Sequence, residues 1–180
     1  MAIPLAFPAL YASHAGIWIA SPDGEVRTVS RGEAVARAGE TPMIMLNAPM
    51  MAQRLGYAEL SGLDVLELFA FVHPARFVVP TPKGLGAVLG LKPSPLQGGG
   101  LGAGAVNANT AFADSPPSPA LPPEGGRELN DEVVPRFLQT AARHLLTTLT
   151  KPAWPEREGA WDSAQALTRL RWPWANIVAQ

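Results

Sequence analysis

Residues 43–91 read MIMLNAPMMAQRLGYAELSGLDVLELFAFVHPARFVVPTPKGLGAVLGL, and the fold turns on this stretch. Met43 to Leu46 is a short run with no polar residue, the mark of a strand buried on both faces. Three short helices are predicted after it. Pro49 suits the first turn of one, where its missing N–H costs little, and Gly56 closes it. The second covers Leu63 to Val72 and stops at His73-Pro74. The third takes Thr81 as cap, Pro82 in the first position and Gly90 as terminator.

Upstream, Gly16 to Ser30 has the pattern of a β-hairpin. Ile17-Trp18-Ile19 is β-prone, Pro22-Asp23-Gly24 supplies the turn, and Val26 to Val29 alternates on the return. Arg31 to Ala38 is a helix candidate, followed by a turn through Gly39 and Pro42. Downstream, residues 93–129 break the pattern with dense Pro, Gly, Ala and Ser. The ends of that stretch, PSPLQGGG (93–100) and PSPALPPEGG (117–126), are imperfect copies of one another. The composition reads as a disordered insertion of a translated GC-rich repeat, with a functional flexible linker as the alternative. Order returns near Asn130. Val134, Phe137, Leu138, Ala141, Leu145 and Leu149 recur at helical spacing up to Lys151-Pro152. A last helix, Glu156 to Arg171, is expected to place Trp161, Ala164, Leu167 and Leu170 on one face. The expected architecture is an α/β domain with a small sheet and several helices, formed by 1–92 and 130–180 around the insertion.

The 180 residues suffice for one core, and 47% of them are hydrophobic. A net charge of −1 and a pI near 6.3 give no basic footprint for strong nucleic-acid binding. With no cysteine, neither a disulfide nor a thiolate metal site can form. The first sixteen residues lack a basic start and carry two prolines, so they make a poor signal peptide. No run reaches the length of a membrane span, and the expected location is cytoplasmic, with no membrane partner.

Chemistry is thinly represented. Lys83-Gly84-Leu85-Gly86 is a helix start and no phosphate-binding loop accompanies it. His14, His73 and His144 show no metal-ligand spacing. His73 precedes Pro74 at a helix end, where a cationic imidazole would suit the dipole. Ser61-x-x-Asp64 reads as a capping box with Asp in the usual Glu position. Four of the five tryptophans fall between Trp154 and Trp174, interleaved with Arg157, Arg169 and Arg171. That pattern admits core packing, a protein interface or base stacking, in that order of preference. Trp161, Arg169, Arg171, Trp172 and Trp174 are the interface candidates.

The 43–91 stretch also resembles a DnaQ-like proofreading exonuclease. In such enzymes a strand ends in His-Asn-x-x-Phe-Asp, and a leucine-rich helix opens with Asp-Thr. Asn47 and Asp64 hold motif-equivalent places, but Leu46, Met50 and Met51 replace the His, Phe and metal-binding Asp. The first-strand acids would fall in Tyr11 to Gly16, which has none. Asp162, with Arg157 where a His would stand, is the vestigial catalytic candidate. One acid cannot hold two metal ions, so the resemblance implies a degenerate ribonuclease-H-like domain with no metal. Met50 and Met51 are expected to be buried where metal would sit. The wording of SHAGIWIASPDGEVRTVSRGEAVARA, MLNAPMMAQRLGY and WPEREGAWDSAQALTRLRWPWA is similar to the N-terminal region of alphaproteobacterial DinG/XPD-like ATP-dependent DNA helicases. That resemblance covers nearly everything outside the insertion. It implies an accessory, catalytically inert module that docks on a helicase motor, from a truncated or split gene. ATP, Mg²⁺ and any iron–sulfur cluster belong to that motor, and DNA is reached through it. A weak metal-dependent exonuclease and an unrelated small protein-binding domain are the rival readings.

Overall fold

A computed structural model describes residues 6–91, 130–155 and 159–179. The insertion read at 93–129 lies outside the described residues. Five strands form one mixed sheet: β1 (Ala9–Ala12), β2 (Ile17–Ala20), β3 (Val26–Thr28), β4 (Ile44–Met45) and β5 (Leu63–Asp64). Their order is β3-β2-β1-β4-β5. β2 is antiparallel to β1 and β3, whereas β1, β4 and β5 run parallel. β1 is the central strand, and all four of its residues are buried, which is why the sequence ALYA carries no alternation.

The helices are α1 (Arg31–Glu40), α2 (Ala48–Arg54), α3 (Val65–Val72), α4 (Pro82–Leu89), α5 (Val134–Leu149), α6 (Ala160–Arg169) and α7 (Ala175–Val178). Ser30 caps α1 through the Glu33 N–H, and Thr81 caps α4 through the Gly84 N–H. α1 runs through Gly39 to Glu40, two residues beyond the expected end; nothing lies within 4 Å of where a Gly39 side chain would begin.

α5 is the element that closes the core. Val134, Phe137, Leu138, Ala141, Ala142, Leu145 and Leu146 are buried along it and join one cluster with the strands, α2, α3 and α4. Gln139 lies in the same buried face. Its Nε2 donates to the Phe7 carbonyl at 3.0 Å and the Ser21 carbonyl at 2.7 Å, tying α5 to the start of β1 and the end of β2. The donors of this buried amide are thereby satisfied, while its Oε1 has no hydrogen-bond partner among the described residues.

The C-terminal end departs from expectation. α6 begins at Ala160 and ends at Arg169, and Ala164 is its buried residue. Trp161 is 56% exposed and Leu170 76% exposed, so the expected apolar face is not packed along its length. After α6 the chain turns back, and α7, absent from the sequence expectation, brings the tail to the sheet. Trp174 is fully buried, and its Nε1 donates to the Asp64 carbonyl on edge strand β5 at 2.7 Å. A bulky aromatic thus covers the free edge of the sheet.

Candidate functional site

The end of β1 is where a two-metal nuclease would present its first acids. Here that end is sealed. The Ala12 N–H donates to the Met51 sulfur at 3.4 Å, and the Arg54 guanidinium donates to the Ala12 carbonyl. Both come from α2, which starts directly after β4 and therefore runs past the end of the neighbouring parallel strand. Met51 is 1% exposed and forms part of the core. Met50, expected to be largely buried like Met51, is partly buried and packs at the core margin, since consecutive helical positions point about 100° apart. The next residue, Ser13, donates its hydroxyl to the Asp131 carboxylate and accepts the Ala15 N–H at 3.0 Å.

Asn47 and Asp64 meet at the end of β4. Asn47 has a left-handed φ of 60°, and its side-chain oxygen accepts the Met50 N–H at 3.1 Å. Asn is among the few residues that adopt this conformation readily. Asp64 is buried and accepts three backbone N–H groups: Asn47 at 3.1 Å, Ala48 at 2.7 Å and Leu66 at 2.9 Å. One carboxylate thus serves the starts of both α2 and α3. It caps α3 directly, so the capping box expected from Ser61 is replaced; Ser61 is exposed, and Leu63–Asp64 pair as β5 before the helix begins.

Glu67 lies one turn into α3. Its carboxylate accepts the Trp172 Nε1–H at 3.0 Å. Partial burial and the nearby Asp64 charge raise the Glu67 carboxyl above its ordinary range, against the pull of that hydrogen bond. Trp172 also tilts against Phe71, with ring centroids 5.1 Å apart, and Trp154 donates its Nε1–H to the Val72 carbonyl at 3.0 Å. Trp154, Trp172 and Trp174 are therefore engaged within the fold. Trp161, Arg169 and Arg171 stay exposed.

His73 caps α3 and tilts over Phe69 at 5.2 Å between centroids. Burial lowers its pKa, with the charges of Arg76 and His144 adding to that effect and working against a cationic imidazole at this helix end. The influence of His144 was not visible in the sequence, since it lies on α5 and His73 at the end of α3, two helices that only the fold brings together. His14 is exposed beyond β1, and Asp162 is exposed in the first turn of α6. Among the described residues no group of three or more His, Cys, Asp or Glu side chains converges as a metal site. No helix among them is long and apolar enough to cross a membrane.

No family model and no solved structure matches the chain. Among curated proteins, a valine–tRNA ligase of Sphingopyxis alaskensis is 64% identical over 42 residues, which is 23% of this chain and 4% of the ligase. The chain thus spans about 4% of the length of the curated relative it matches.

Proposed function

We propose that this chain is a degenerate DnaQ-like, ribonuclease-H-like domain that serves as an inert accessory module of a DinG/XPD-type DNA helicase. The observation that carries the reading is the sealed end of β1, where Met51 and Arg54 occupy the backbone groups of Ala12. A guanidinium and a thioether repel or ignore Mg²⁺, which seeks oxygen ligands. The small mixed sheet, with β2 alone reversed and helices packed on it, is compatible with this reading. The 42-residue match covers too little of the valine–tRNA ligase to bring that protein's function here.

The docking surface in this reading is the outer face of α6, where Trp161 and Leu170 are exposed beside Arg169. Trp172 and Trp174, engaged in the fold, hold that face in place. Purified protein incubated with labelled single-stranded DNA and Mn²⁺ is expected to leave the DNA intact. Cleavage abolished by Asp162→Ala would instead favour the exonuclease rival. Mixed with a separately produced DinG/XPD-type motor, the chain is expected to co-elute, and Trp161→Ala to weaken the complex. Failure to associate with any such motor would overturn the accessory role and favour an unrelated protein-binding domain.

A further inference from the structure

Three helices here end in the same way, with a left-handed residue whose successor donates its N–H back five positions. Tyr57 bonds to the Ala52 carbonyl after Gly56, Leu91 to Gly86 after Gly90, and Trp172 to Leu167 after Arg171. The left-handed residue is glycine in the first two and arginine in the third, where φ is 58°. Glycine is the ordinary residue for this cap, since a side chain there is strained. The fold therefore tolerates strain at the one such position whose side chain faces an opening.

That opening is a cavity of about 440 Å³ between the tail and the entry ends of β1, β4 and β5. It lies at the other end of the strands from the Met51–Arg54 seal. Its apolar lining includes Phe7, Leu63 and Ile177. Its polar lining includes Arg171, Glu40, Thr41 and Ser61. Within the described residues these four side chains have no hydrogen bond or ion pair. All four are exposed to solvent and so free to meet a ligand, and an apolar concavity with a few polar groups is a usual form of a small-molecule site. Charges of opposite sign on its wall set the complement: one carboxylate, one ammonium, and an apolar body between or beside them.

We infer that this cavity binds a small zwitterion with an apolar body, its carboxylate on Arg171 and its ammonium on Glu40. A free apolar amino acid and a short apolar peptide share that chemistry. Titration of ¹⁵N-labelled full-length protein with L-phenylalanine and with the dipeptide Leu-Phe tests it. Saturable shifts are expected at cavity residues with one of the two, and which one identifies the source. 3-Phenylpropionate and phenethylamine, each lacking one charge, are expected to bind at least tenfold more weakly. Arg171→Gly keeps the helix ending, because glycine accepts its backbone, and is expected to weaken binding at least tenfold; Glu40→Gln should do the same. No saturable shift with either zwitterion overturns the inference, as does binding that survives Arg171→Gly or that the single-charge analogues match.

Discussion

Asp64 shows how much one side chain can organise. Its carboxylate holds the first N–H groups of two helices, and its carbonyl holds the Trp174 indole. Asp64→Ala leaves three buried or half-buried donors without a partner, each loss costing about 1–3 kcal/mol. Urea unfolding is expected to show a loss of about 3 kcal/mol or more. Glu67 acts in the opposite sense. Its folded pKa is raised, so the folded state holds that proton more tightly than the unfolded chain does. Its favourable contribution is complete below the ordinary glutamate value, about 4.3, and is lost as pH rises through the raised folded value. Glu67→Gln, which still accepts the Trp172 N–H, removes this fall. The variant should match wild type near pH 4 and exceed it at pH 7, by on the order of a few tenths of a kcal/mol because the site is screened by solvent. His73 has the other sign, its lowered pKa giving stability that is lost as pH falls through the folded value. The difference between the two unfolding curves cancels it and isolates Glu67. A difference that does not change with pH would refute the assignment.

The elements were legible to different degrees. The hairpin and the helices that begin at Pro49, Asp64 and Thr81 could be read because caps, prolines and terminal glycines act within one turn of chain. α6 could not be read correctly, because Trp161, Ala164, Leu167 and Leu170 at helical spacing state only that a face is apolar. Whether that face is covered depends on where the following turn sends the tail, and Arg171 sends Trp172 and Trp174 to α3 and β5 instead. The role of Asp64 was half visible: a cap was expected, but the second helix it serves starts sixteen residues earlier. The two tryptophans give the test at this scale. Trp174→Ala is expected to cost about 3–5 kcal/mol, the usual range for a buried large aromatic. Trp161→Ala is expected to cost under about 0.5 kcal/mol, as for an exposed position. Thermal melts of both variants check the contrast, and equal losses would contradict the packing described for α6.

At the scale of the whole molecule, the core joins residues that lie on both sides of positions 92–129. The apolar face of α5 covers the sheet, and Gln139 reaches the ends of β1 and β2 more than a hundred positions away in the chain. The topology could not be derived from the sequence, because two-residue strands such as β4 and β5 carry no register information of their own. Their partners are set by the helices around them. The arrangement of α5 has a consequence for how the protein can be built. Its attachment to the sheet includes a buried face and two hydrogen bonds from Gln139. Residues 1–91 and 130–180, produced as two separate polypeptides in one cell, are therefore expected to co-purify as a 1:1 complex with the circular dichroism of the intact chain. Leu138→Asp in the shorter piece should abolish recovery of the pair. The domain would then serve as a two-part reporter, in which recovery of fold signals that two fused proteins have met.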